Sequence, residues 1–330
     1  MEYNVLGNTG VSVSPLCFGT MSFGGIADEE MSTKMFHRCR EAGINFFDCA
    51  NVYQQGRAEK ILGGLIAGCR DEVIITSKGY FPMGDDVNAR GATRYHIMRA
   101  VEESLRRLDT DRIDVYFIHH FDELTPLEET LRALDDLVRQ GKILYPGASN
   151  FAAWQIAKAL GISDKEGWAP FKVIQPMYNL VKRQAEVEIL PLAASENLAV
   201  IPYSPLGGGL LTGKYGPRKQ PKTGRLVENQ MYQIRYGADW VYEVAQSFTD
   251  FARARGYDPV SLAVAWVSGH PEVTAPIIGA RNDTQLEASL RAMEIEMTPE
   301  LRAQIAALAP APPPATDRNE EQTAVNYGVR

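Results

Sequence analysis

Asn45-Phe46-Phe47-Asp48-Cys49-Ala50-Asn51-Val52-Tyr53 decides how the rest of the chain is read. Asn45 to Phe47 predicts a short buried strand between Gly43 and a carboxylate. An apolar run that stops at an acid marks a strand leaving a core for a polar site. Tyr53 follows on an expected loop. The pattern recurs: Val73-Ile74-Ile75-Thr76-Ser77 ends at Lys78, Val115-Tyr116-Phe117-Ile118 ends at His119, and Leu144 to Ala148 ends at Ser149-Asn150. An acid, a phenol, an amine and an imidazole at strand ends or just beyond are the parts of a proton-transfer site.

Working outward, strands and helices alternate. Strands are expected at 16–20, 45–48, 73–77, 113–118, 143–148, 173–175, 198–203 and 273–278. Helices are expected near 28–42, 58–67, 93–108, 126–141, 152–160, 185–196, 239–255, 259–268 and 284–293, from apolar stripes such as Ile97, Val101, Leu105 and Leu108. Thr93 can cap one helix and Pro126 open another. Residues 3–14 read as a hairpin turning at Gly7-Asn8-Thr9-Gly10, and a long connection runs from Ser204 to about Gly237. Eight strands alternating with helices, without a composition break, predict a single (β/α)8 TIM barrel over residues 1–308. A doubly wound sheet would prefer a GxGxxG turn after its first strand, and Gly19-Thr20-Met21-Ser22-Phe23-Gly24-Gly25 is not one. Residues 309–330 open with Ala309-Pro310-Ala311-Pro312-Pro313-Pro314 and read as a Pro-rich C-terminal extension.

The 330 residues are 45% hydrophobic and 23% charged, ordinary for a globular protein with a large core. A net charge of −7 argues against nucleic acid as a partner. Met1-Glu2-Tyr3-Asn4 has neither a cationic region nor an apolar one, so no secretory signal is expected. No apolar run approaches about 18 residues, so no membrane span is expected. Cys17, Cys39, Cys49 and Cys69 lack CxxC spacing and suit reduced thiols in a cytoplasmic protein. Five histidines do not form a zinc-ligand cluster, and no metal is expected.

In a barrel, strand carboxyl ends share one rim, which brings Asp48, Lys78 and His119 together, with Tyr53 adjoining. Free tyrosine has a pKa of about 10. A neighbouring Lys78 ammonium, held by Asp48, is expected to lower it, making Tyr53 a general acid while His119 orients a carbonyl oxygen. The plain alternative is a structural Lys78–Asp48 pair and a core His119; another is Lys78 as a Schiff-base lysine. No side chain delivers hydride, so the reading requires a nicotinamide cofactor. Ser149, Asn150 and Gln175 suit its carboxamide, and Tyr203 its ring. Ser204-Pro205-Leu206-Gly207-Gly208-Gly209-Leu210, with Lys214 nearby, offers backbone amides to a pyrophosphate. Gly279-Ala280-Arg281 and Gln285 at a helix start form another anion site, with Arg281 a candidate reader of a 2′-phosphate.

At these residues the chain resembles the aldo-keto reductase superfamily, and more narrowly the branch of bacterial aldo-keto reductases and potassium-channel β-subunits. The likeness runs from Tyr3 to about Leu308. It is carried by Phe47-Asp48-(x)4-Tyr53 with Gly56-Arg57-Ala58-Glu59, Thr76-Ser77-Lys78, Asp114 to His119, Gly147-Ala148-Ser149-Asn150, Tyr203-Ser204-Pro205-Leu206 and Leu211-Thr212-Gly213-Lys214. The resemblance implies a barrel closed below by the N-terminal hairpin, extended NADP(H), and a tetrad of Asp48, Tyr53, Lys78 and His119 that reduces a small-molecule aldehyde or ketone. It implies that Gly19, Thr20 and Met21 line the nicotinamide pocket and that Ser289 stands at the adenine, where relatives often carry Asn. Glu287 falls where relatives commonly have an acid, with no contact assigned. A second function, a redox-sensing regulatory subunit with slow turnover, follows from the channel relatives. Oligomeric state stays open.

Overall fold

The computed structural model describes residues 2–325. β1 (Asn4–Val5) and β2 (Ser12–Val13) pair as an antiparallel hairpin. Eight parallel strands follow: β3 (Cys17–Gly19), β4 (Phe46–Asp48), β5 (Ile74–Gly79), β6 (Ile113–Ile118), β7 (Ile143–Ser149), β8 (Val173–Gln175), β9 (Ala199–Val200) and β10 (Ile277–Ile278). From β3 to β9 each pairs with the next in the chain, and β10 pairs with β3. The remaining gap, between β9 and β10, is bridged by the Thr274 amide donating to Val200 O at 2.8 Å and the Ile277 amide to Pro202 O at 2.9 Å. The ring is therefore the expected (β/α)8 barrel. β9 and β10 are shorter than the apolar runs 198–203 and 273–278 predict, because Pro202 and Pro276 have no N–H to give a ladder.

Two apolar layers build the core. Inside the ring, Cys17, Phe46, Val115, Phe117, Val173 and Ile201 pack with Leu6 and Val13 of the hairpin. The hairpin thus closes the amino-terminal mouth, where Asn4 Nδ2 donates to Thr274 O at 2.7 Å and the Ser14 amide to Asn45 Oδ1 at 2.8 Å. Outside the ring, amphipathic helices lay their stripes on the strands. Thr93 caps Arg94–Leu108, whose Ile97, Val101, Leu105 and Leu108 are buried as the period requires. Asp28 caps Glu29–Glu41, and Pro126 precedes Leu127–Arg139.

Three segments differ from expectation. The connection after Ser204 is not irregular: it holds a 3₁₀ turn at Gly207–Thr212 and short helices at Arg225–Glu228 and Gln230–Arg235, the second capped by Asn229. The helix Pro299–Ala306 was not expected; its Thr298 cap and first-turn proline are ordinary start signals, but the apolar stripe behind them is thin. Residues 309–325 contain one 3₁₀ turn, Asn319–Gln322, with local bonds such as Gln322 Nε2 to Pro312 O. Residues 326–330 of the expected extension lie outside the described residues. No described helix is long and apolar enough to cross a membrane.

Phe117 fills the lumen because Gly147 on the neighbouring strand lacks a side chain: a Cβ there would sit 2.6 Å from the Phe117 ring and 3.0 Å from Val173 O. Gly147→Ala is expected to overpack this layer and cost about 1–3 kcal/mol of stability, read as a lower urea midpoint at unchanged slope.

Candidate active site

Parallel strands aim every carboxyl end at one rim. Asp48 closes β4 and Lys78 is the last residue but one of β5, so the strand runs further than expected. His119 follows β6, its amide donating to Gly79 O at 3.1 Å. Ser149 closes β7, Gln175 closes β8, Tyr203 lies past β9, and Gly279 to Arg281 lie past β10. Two surface hollows, one lined by Asn4, Gly7 and Pro271 and the other by Asn8, Trp168 and Phe171, lie at the hairpin end and not at this rim.

Lys78 is fully buried, and its three donors meet three acceptors. Nζ donates to Asp48 Oδ2 and to Cys49 O, both at 2.7 Å, and reaches Tyr53 Oη at 3.4 Å. Asp48 is equally saturated: Oδ1 accepts from Thr76 Oγ1 at 2.7 Å and from Gln175 Nε2 at 2.9 Å. Burial alone would depress the Lys78 ammonium, but the Asp48 carboxylate and the Tyr53 oxygen outweigh it and raise its pKa. A Schiff-base lysine needs a neutral amine, so this electrostatic setting points away from that alternative.

Tyr53 departs from expectation. Burial dominates and pushes the phenol up to about 12, even though the adjacent Lys78 pulls it down. The cation moderates the burial penalty without making Tyr53 more acidic than free tyrosine. Burial and the Lys78 charge lower the His119 pKa well below the usual imidazole range, so His119 is neutral at pH 7. Its Nδ1 is buried without a hydrogen-bond partner, and its ring meets the Tyr53 ring edge-on at 6.2 Å.

The loop that presents Tyr53 is strained. Gln54 and Gln55 have φ of 50° and 54°, and Gly56 follows at 85°. Behind it stands a network the sequence did not disclose. Fully buried Glu59 accepts from Ser77 Oγ at 2.5 Å and from Arg107 Nε at 2.6 Å, and the Arg107 side chain lies against Gly56. Ser77 precedes Lys78, so one carboxylate ties the Tyr53 loop to the lysine strand. Glu59 was legible as part of a motif; Arg107, on a distant helix, carried no local signal.

The expected nicotinamide-side residues form a belt. Asn150 Nδ2 donates to His119 O at 2.8 Å, Tyr203 Oη to Asn150 Oδ1 at 2.7 Å, and Ser149 Oγ to Gln175 O at 3.0 Å. Gln175 was expected to hold a carboxamide, yet its Nε2 is engaged by Asp48. Gly19 pairs with Asp48 across the sheet, buried Thr20 donates to Asp48 O, and Met21 is partly exposed beside them. Ser204 has a φ of 60°, Pro205 and Leu206 follow it, and Gly208 and Gly209 are also left-handed. Lys214 lies against Gly209, and burial with the charges of Arg281 and Arg225 lowers its pKa. None of these three cations makes an ion pair with a described carboxylate, so together they have the chemistry of an anion site. Arg225 was not anticipated; it sits in the long connection after Ser204. Gln285 Oε1 accepts from the Arg281 amide at 3.2 Å, buried Ser289 donates to Gln285 O at 3.4 Å, and Glu287 pairs with Arg38. The described residues contain no His/Cys/Asp/Glu group suited to a metal ion.

A model of the Aldo/keto reductase family matches residues 15–310. The chain belongs to this family. Among similar proteins, an uncharacterized oxidoreductase, YrpG, of Bacillus subtilis is 37% identical over 94% of this chain and 97% of its own. A probable voltage-gated potassium channel subunit beta of Arabidopsis thaliana is 35% identical over 89% and 92%. The versiconal hemiacetal acetate reductase of Aspergillus parasiticus is 30% identical over 91% and 94%. As an aldo/keto reductase the chain is an oxidoreductase, in a family that generally takes its hydride from a nicotinamide dinucleotide.

Asp48→Asn would leave the Lys78 ammonium buried without its counter-charge. The expected loss is about 3–5 kcal/mol of unfolding free energy at pH 7, measured by urea titration.

Proposed function

We propose that this aldo/keto reductase is an NADPH-dependent carbonyl reductase that converts an aldehyde or ketone to an alcohol. The observation that carries the reading is the Lys78 Nζ–Tyr53 Oη approach of 3.4 Å, with Lys78 locked by Asp48 and Cys49 O. The nicotinamide, when bound, supplies hydride to the carbonyl carbon. Neutral His119 donates a hydrogen bond to the carbonyl oxygen and orients it. As the C=O π pair moves onto oxygen, Tyr53 gives up its proton to that oxygen, and the phenolate left behind is stabilised by the Lys78 ammonium. Asp48 keeps that ammonium charged and in place.

The uncompensated cations support a dinucleotide at this rim: the bare backbone of Gly208 and Gly209 lets a pyrophosphate come close, with Lys214 and Arg225 beside it. Arg281 favours the 2′-phosphate, and hence NADPH over NADH. The Asn150–Tyr203 pair and Ser149 border the nicotinamide, with Gly19, Thr20 and Met21 opposite, while Gln285 and Ser289 flank the adenine. Four unpaired cysteines support a cytoplasmic setting. Residues 1–308 act as the catalytic unit and 309–330 as an appendage. A second reading, a nucleotide-holding regulatory subunit with slow turnover, is supported by the likeness to plant proteins named as probable channel β-subunits.

Tyr53→Phe is expected to retain NADPH binding, read by fluorescence quenching, and to lose about 10²–10⁴-fold in aldehyde reduction; full activity would remove Tyr53 as the acid. In the wild type, the donating phenol persists until pH approaches about 12, so Tyr53 adds no limb to the kcat profile between roughly pH 6 and 9. Tight NADPH binding with almost no turnover of an aldehyde panel would favour the regulatory reading. Arg281→Met is expected to weaken NADPH at least about tenfold more than NADH in paired titrations; equal losses would remove the 2′-phosphate assignment.

A further inference from the structure

The Tyr53 loop is held at two points. Arg107, paired with Glu59, reaches it at Gly56. The second point is Gln54, which the proton chemistry does not use. Gln54 and Gln55 both lie in the left-handed region, at φ of 50° and 54°. Glycine takes that conformation freely, whereas a side chain makes it strained. The backbone alone therefore does not call for a side chain at 54, and what that side chain touches has to account for it.

The Gln54 amide lies against Gly25: a Cβ there would stand 2.6, 2.7 and 2.8 Å from its Cδ, Nε2 and Oε1. Nε2 also donates to Met21 O at 3.4 Å. Both contacts fall on the turn after β3, residues 20–27, which is itself firmly held. The Gly24 amide donates to Ala27 O at 2.8 Å and the Ala27 amide to Ser22 O at 3.1 Å. Ser22 Oγ donates to Ala280 O at 2.7 Å, next to Arg281. Phe23 is fully buried against Phe18, and Gly24 packs on Ile61 and Arg57. Gln54 thus rests on a fixed abutment and not on a loose loop.

We propose that Gln54 is a positioning residue for Tyr53. Its amide, seated on Gly25 and bonded to Met21 O, holds the strained loop at a set distance from the turn proposed above to border the nicotinamide. Tyr53 is the next residue in the chain, so slack at 54 passes directly to the backbone that carries the phenol. Hydride and proton go to adjacent atoms of one carbonyl, and a phenol displaced from the nicotinamide slows that step. The dinucleotide, held by cations on the connections after β9 and β10, binds as before. This rests on the carbonyl-reductase reading and deepens it.

The test uses the full-length protein with NADPH and, from butanal, glyceraldehyde and benzaldehyde, the aldehyde that the wild type turns over fastest. Gln54→Gly removes the amide and relieves the backbone. Its kcat is expected to fall about tenfold or more while NADPH affinity, read by fluorescence quenching, stays within about twofold. Its urea midpoint is expected not to fall. Gly25 is not left-handed, so alanine there is strained only by the amide it would meet. Gly25→Ala is expected to lower kcat about fivefold or more in the wild type, but less than about twofold in the Gln54→Gly background, where that space is free. An unmoved kcat in Gln54→Gly, whether or not the urea midpoint drops, would overturn the positioning role and leave the reductase intact. So would a kcat loss matched by an equal loss of NADPH affinity, or a Gly25→Ala loss of the same size in both backgrounds. A wild type that turns over none of the three aldehydes would instead remove the reductase reading, and the role of Gln54 with it.

Discussion

The ion pair between Asp48 and Lys78 is the constraint on which the rest of the site depends. Removing two charges from water costs several kcal/mol each, and their attraction repays that only when every remaining donor and acceptor is met. Both residues satisfy the condition. The ammonium has Asp48, Cys49 O and Tyr53; the carboxylate has Lys78, Thr76 and Gln175. Gln175 ends β8 and Asp48 ends β4, which stand on opposite sides of the eight-membered ring. Their bond therefore spans the mouth of the barrel. A pair of apolar residues would hold that mouth at least as cheaply, so stability alone does not account for a charged pair here. The proposed reaction does, because it needs a cation beside a phenol in a dry place.

The direction of the Tyr53 shift refines that account. A cation that merely ionised the phenol in advance would leave it no proton to give. At about 12 the phenol stays protonated, and the Lys78 charge counts most in the state where the proton has left. If Tyr53 is the acid proposed above, the interaction is stronger after transfer than before it, which is the condition for speeding the step and not merely for binding. A strained loop must hold Tyr53 in that relation, and the Glu59–Arg107–Ser77 network braces the loop and the lysine strand against one buried carboxylate.

Much of this was legible in the sequence, for identifiable reasons. Strand ends showed because apolar runs stop abruptly at Asp48, Lys78 and His119, and helices showed through stripes such as Ile97 to Leu108. What stayed hidden depends on distance or context. Arg107 reaches Glu59 from 48 positions away, a pairing no local pattern encodes. Arg225 lies among glycines and prolines that read as loop, although Asn229 there caps a helix. The short β9 and β10 reflect prolines inside runs whose hydrophobicity still signals a strand. The Tyr53 shift went the wrong way in the sequence reading because a neighbour in sequence space suggests its charge, while burial belongs to the whole fold.

Two kinds of chemistry divide the rim between them. The groups proposed to handle protons cluster over β4 to β6, and cations without carboxylate partners among the described residues gather on the connections after β9 and β10. Asn150 joins the halves, holding His119 O through Nδ2 and Tyr203 through Oδ1. It does so from a φ of 57°, a conformation that Asn tolerates better than most residues. A carbonyl that gains hydride at carbon and a proton at oxygen needs each donor held about 3–3.5 Å from its own target atom. A loop on a mobile tether would not hold that relation; a side chain at each strand end does, because the sheet register sets the spacing between ends. The barrel's contribution to the reaction is in that sense its hydrogen-bond ladder, with Asn150 and Gln175 carrying the same rigidity across the gaps the ladder leaves at the top.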